Sequence, residues 1–171
     1  MAFATFTLIS AGLAEEQTIR AKSAEVVNVQ PCPDFKYRVG DVSVDLANGK
    51  KELWTSKGNC LEPKVSQDGT AVGWVHFSTY EGGIHPSLLG ETLQIRFIDG
   101  SFKEFKTGSS EQPFIQEWGF ADNGSAVIIK SRGHHGPQYL VRYKISNGEV
   151  LGRVEGPRHD DMPDWAKPFS D

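Results

Sequence analysis

A chain of 171 residues that is 38% hydrophobic and 23% charged has the apolar content of one packed globular domain and little sign of disorder. Its 18 glycines and 9 prolines favour a turn-rich β protein over a helical one. A formal net charge of −4, with the basic residues scattered and no cluster longer than Lys50-Lys51, argues against nucleic acid or an anionic membrane surface as a partner.

Residues 1–14 carry no charge and give way abruptly to Glu15-Glu16. They resemble the apolar core of a signal peptide that ends in the small-x-small site Gly12-Leu13-Ala14, without the usual basic start. The competing reading is a first strand. Either way the run is too short to span a bilayer, so no membrane insertion of the mature chain is expected. Cys32 and Cys60, 28 positions apart, would close a loop around the first hairpin as a disulfide; two buried thiols are the other reading. Together the two signals place the protein in the periplasm or among secreted proteins.

The strongest local signals are turns. Asn48-Gly49, Asp99-Gly100 and Asn147-Gly148 recur about every 50 residues, each between short alternating runs of apolar and polar residues. Such dipeptides suit the positive φ angles of two-residue type I′ hairpins. An offset pair, Asp68-Gly69 and Asn123-Gly124, follows the first two. Three repeat units are therefore expected, over residues 24–62, 63–113 and 114–157, within a repeat domain of residues 15–157. In the first, alternation puts Val42, Val44 and Leu46 on one face. In the second it does the same for Ile95 and Phe97, and in the third for Leu140 or Val141 with Tyr143 and Ile145. Residues 158–171 form a Pro-rich tail expected to pack Trp165 and Phe169 on the last sheet. Trp54, Trp74 and Trp118 lie near turn-to-strand junctions, where packing between sheets is the first expectation and ligand stacking the second.

The stretch from Val44-Asp45-Leu46-Ala47-Asn48-Gly49-Lys50 to Pro63-Lys64-Val65-Ser66-Gln67-Asp68-Gly69 resembles the repeats of TolB-type and WD40-like β-propellers, over about residues 38–157. The resemblance implies an all-β fold of antiparallel propeller-like blades, about three of them, in an open or partial propeller. It carries no chemistry of its own. Because closed propellers use four to eight blades, a protein partner or self-association is expected to cover an end. The Ser66–Gly69 segment is also similar to small periplasmic immunity proteins that plug cell-wall-degrading toxins, which implies a plugging loop over residues 78–91.

For binding, the loops expected at 78–91 and 130–138 stand out, because rigid sheets hold such loops side by side. They supply Tyr80, His85, Pro86, Arg132, His134 and His135 as candidate binding residues. The histidines, joined by Asp160, also make a metal-assisted hydrolase the enzyme alternative. No helical HExxH spacing and no Gly-x-Ser-x-Gly turn occurs. The sequence therefore predicts an exported, non-catalytic protein-binding module with no catalytic residue, no metal and no cofactor.

Overall fold

The structure, a computed structural model, describes residues 19–31, 38–80, 87–107, 114–132, 137–156 and 162–169. The turns organise it. Each Asn-Gly or Asp-Gly pair of the main series closes a hairpin: β2 (Arg38–Leu46) with β3 (Lys51–Leu53), β6 (Ser87–Phe97) with β7 (Phe102–Lys106), and β10 (Gln138–Lys144) with β11 (Val150–Glu155). The turn type differs from the one expected. Only the glycines are left-handed, Gly49 at φ 84°, Gly100 at 85° and Gly148 at 74°, while the Asn or Asp before each is not. Leu46 N–H bonds Lys50 O and Phe97 N–H bonds Ser101 O, which makes longer loops with a left-handed glycine at the end. The Asn or Asp side chain does another job: its Oδ1 accepts the N–H two residues on, from Lys50, Ser101 and Glu149.

The remaining strands are β1 (Ala21–Pro31), β4 (Cys60–Val65), β5 (Ala71–Tyr80), β8 (Phe114–Ala121) and β9 (Ala126–Arg132). They form two antiparallel sheets. The first has the order β1-β2-β4-β5-β6-β7, with β3 also on β2; the second is β11-β10-β9-β8. In the first sheet β2 and β4 are joined by the single pair Gly40↔Cys60, so β1–β3 and β4–β7 are nearly separate groups. One hydrogen bond repeats in every group and shows which strands correspond. Ala47 N–H donates to Arg20 O at 2.8 Å, Ile98 N–H to Thr70 O at 2.9 Å, and Ile145 N–H to Ser125 O at 2.9 Å. Hence β1, β5 and β9 are equivalent, and each opens on a buried alanine, Ala21, Ala71 or Ala126.

Packing follows the period-two rule with both faces buried in the middle. On β5, Val72 and Trp74 pack with Val42, Val44 and Leu46 of β2, while Ala71, Val75 and Phe77 pack toward Ile115, Trp118, Val127 and Ile129 of the second sheet. That double burial is why β5 reads as an almost unbroken apolar run. Gly73 interrupts it for a reason: a Cβ there would stand 2.7 Å from Cη2 of Trp118, which is wholly buried. On the far face of the second sheet, Ile128 and Leu140 pack with Met162 and Ala166. Leu140 thus faces away from Tyr143 and Ile145, which belong to the inter-sheet core.

No α-helix occurs among the described residues, only short turns of 3-10 type such as Asp122–Gly124 and Lys167–Phe169. Among them no helix is long and apolar enough to cross a membrane.

Candidate functional site

The residues singled out for binding are not gathered into a site among the described residues. Arg132 ends β9 and is exposed. Tyr80 ends β5, paired with Ser87 of β6. His85, Pro86, His134, His135 and Asp160 lie outside the described residues, as does Cys32. The long loop expected at 78–91 is mostly sheet, because the β5–β6 ladder runs past a bulge at His76/Phe77 as far as Tyr80↔Ser87. Similarly, β9 continues to Arg132 where a loop was expected from residue 130.

Cys60 is a buried free cysteine. Its Sγ lies 3.7 Å from Thr55 Oγ1. Burial, and then the carboxylate of Asp41, push the thiol above its ordinary range against the opposing effect of its hydrogen bond with Thr55. A thiol held protonated is a poor nucleophile. Asp41 itself is structural: 7% exposed, it accepts Gly58 N–H at 2.8 Å and Asn28 Nδ2 at 2.9 Å, which pins the chain after β3 to β1 and β2.

That pinned segment borders an open pocket of about 430 Å³ between residues 54–57 and strands β4–β7. Trp54 N–H bonds Val42 O at 2.8 Å, which continues the ladder beyond β3. Opposite stands Arg96 of β6. Its guanidinium stacks 4.9 Å from the centre of the Trp54 ring, and Nη1 donates to Trp54 O at 3.3 Å. The floor is Trp74, whose Nε1 donates to Gln94 Oε1 at 2.9 Å; Gln94 Nε2 in turn donates to Glu104 Oε1 at 2.8 Å. This chain of bonds fixes both the ring and the amide. Phe102 of β7, its ring centre 6.4 Å from that of Trp74, forms the outer wall and is 45% exposed. Lys57, also exposed, completes the lining on the other side.

The pocket is therefore aromatic on three sides and cationic at two points, in a chain that is acidic as a whole. The neighbouring carboxylates are engaged, Glu52 by the Trp54 indole N–H and Glu104 by Gln94. Such a site can hold a flat or apolar body and an anionic group together. Trp54 and Trp74 were visible in the sequence as candidates for stacking. Arg96 and Lys57 were not, because nothing local in the chain links them to a tryptophan 42 or 3 positions away. Among the described residues no three His, Cys, Asp or Glu side chains are grouped to hold a metal ion.

No family model matches the chain. Its sequence is 24% identical over 129 residues to dipeptidyl-peptidase 5 of Schizosaccharomyces pombe, across 74% of this chain and 18% of that protein. Its structure is similar to the acylaminoacyl peptidase of Pyrococcus horikoshii, with a TM-score of 0.52 and 9% identity, over 83% of this chain and 26% of the other. The chain thus spans about a fifth of the curated relative and a quarter of the solved structure. The structural likeness supports a shared fold. The expectation of a non-catalytic binding module that is no enzyme, together with its immunity-protein variant, is corrected by these likenesses: both proteins the chain resembles are peptidases. The recurring turns signal a scaffold, and one scaffold can serve hydrolases as well as binding proteins.

Proposed function

We propose that the chain belongs to a peptidase-type hydrolase, in which its sheets form propeller-like blades that receive a peptide. The observation that carries this reading is the similarity to dipeptidyl-peptidase 5 across 74% of the chain, joined by the structural likeness to an acylaminoacyl peptidase, a protein with a β-propeller domain. Equivalent strands in three successive groups, marked by one recurring hydrogen bond, support the blade description. The aromatic and cationic pocket supports a role in holding peptide side chains.

Hydrolysis tests the proposal. Purified full chain, shown to be folded by circular dichroism, is incubated with dipeptidyl and N-acetyl-aminoacyl 4-nitroanilides. Release of nitroaniline above the buffer rate is expected. Absence of turnover of either class by the folded chain would overturn the hydrolase reading. A parallel sample with chelator examines the metal-assisted version, which draws on His85, His134, His135 and Asp160; loss of rate with chelator and its return with Zn²⁺ would assign the reaction to a bound ion.

A further inference from the structure

We propose that the pocket between Trp54, Trp74 and Phe102 is a binding site for a carboxylate carried next to an aromatic or large apolar group, as in the last residue of a peptide. The peptide nature of the ligand rests on the hydrolase reading. The chemistry of the pocket rests on its own geometry.

Size comes first. A volume of about 430 Å³ lies within the range, ~300–1,000 Å³, of pockets that enclose small ligands. It lies between the 54–57 segment that follows β3 and strands β4–β7, with Arg96 reaching from β6 to Trp54 along one side.

The charge pattern selects the ligand. Arg96 engages one carbonyl, Trp54 O, and no carboxylate among the described residues. A guanidinium carries five N–H donors, so most of its donors stay available beside the cavity. Lys57 adds a second cation, also with no carboxylate partner among the described residues. Glu52 and Glu104, the nearby acids, accept from Trp54 and Gln94, and neither is in an ion pair with Arg96 or Lys57 among the described residues. An anion is therefore favoured, and a carboxylate matches the fork of a guanidinium best. The part-exposed rings of Trp54 and Phe102 call for an apolar companion to that anion. Phe102 is the telling residue, since a ring 45% exposed on the wall of a cavity gains burial only when something fills the space.

The walls are set in advance. Stacking holds Arg96 against Trp54, and the Gln94–Glu104 bond chain holds Trp74, so little ordering is left for binding to impose.

The test uses 3-phenylpropanoate, which has a ring and a carboxylate and no peptide bond, so that binding is read independently of hydrolysis. Titration into the full chain is followed by tryptophan fluorescence, since two of the four tryptophans line the pocket. Saturable quenching is expected, with 3-phenylpropanamide binding about tenfold or more weakly because it lacks the charge. Rising salt should weaken the acid and leave the amide unchanged. Arg96→Gln should erase the preference for the acid. Lys57→Gln, an exposed change that leaves packing untouched, should reduce it by a smaller factor. Phe102→Ala should weaken acid and amide alike. Acetyl-Glu-Phe-amide separates the two sources of a carboxylate: weak binding assigns the site to a chain terminus, and binding equal to the acid assigns it to an acidic side chain beside an apolar one. Equal affinity for acid and amide in the unmodified protein, or no saturable signal with either, would overturn the proposal. Binding without peptide hydrolysis would keep the pocket and sink the enzyme; hydrolysis without binding would do the reverse.

Discussion

Two sets of aromatic rings among the described residues are used in opposite ways. On the far face of the second sheet, the segment 162–169 lays Phe169 over Gly119 of β8 and Trp165 over Gly152 of β11. In each case a Cβ on the glycine would come within 3.0 Å of the ring, so ring and bare backbone fit together with no room left. Beside β4–β7, the part-exposed rings of Trp54 and Phe102 line an open pocket over the buried Trp74, with Arg96 and Lys57 in its lining. The ring alone does not decide between packing and binding. What stands opposite it does: a glycine invites contact, while a cation and a second ring leave a cavity with chemistry in it.

The packed rings offer the largest effect. Trp118 is the extreme of that class, wholly buried between the sheets against Gly73 and in edge contact with Phe120. Trp118→Ala should cost about 3–5 kcal/mol in denaturant unfolding, the usual loss for a buried large ring. A loss below about 1 kcal/mol would mean that the inter-sheet core is not packed as described. A finer contrast pairs one ring from each place. Phe169→Ala should destabilise by about 2 kcal/mol and leave 3-phenylpropanoate binding intact, since its ring is in contact with the sheet. Phe102→Ala should change stability by less than about 0.5 kcal/mol and weaken binding, since its ring is half in solvent. The reverse pattern would exchange the roles given to the two sets of rings.

A pH-dependent effect lies at the Asp68 turn, against which Gly124 packs. Burial alone would raise the Asp68 carboxyl, but the Ser66 hydroxyl and the N–H and hydroxyl of Thr70 outweigh it and hold the group below the ordinary carboxylate range. A depressed carboxyl stabilises the fold fully above its unfolded value and loses that contribution as pH falls through its folded value. Stability should therefore decline on acidification below the usual carboxylate range, and Asp68→Asn should flatten that decline. At neutral pH Asp68→Ala should cost about 1 kcal/mol, kept low by the exposure of the side chain. Unchanged pH dependence in Asp68→Asn would remove Asp68 from this role.

Much of the strand plan was legible because it depends on neighbours in the chain. The three Gly turns close hairpins where their sequence placed them, and Val42, Val44 and Leu46 share a face as alternation requires. The turn geometry was not legible: both a type I′ turn and a longer loop ending in a left-handed glycine accept Asn-Gly, and the register of the flanking strands chooses. Nor was the extent of β5 and β6, because Gly90 reads as a loop in sequence and sits in the ladder opposite Phe77. The function expected from the loops was the largest miss. A repeat that specifies a scaffold is silent on the chemistry carried by it.

Local sequence rules suffice for the all-β class, the recurring hairpins and the apolar faces, since these follow from φ preferences at glycine and from period two along a strand. Packing in three dimensions settles which rings are used for what: Trp54, Trp74, Arg96 and Phe102 line one pocket, while Trp118, Trp165 and Phe169 pack into the cores. The cause is distance along the chain. Trp54 and Arg96 are 42 positions apart and meet because the β2 group packs on the face of β5, where Val42, Val44 and Leu46 meet Val72 and Trp74. No local pattern of residues encodes where two strand groups meet.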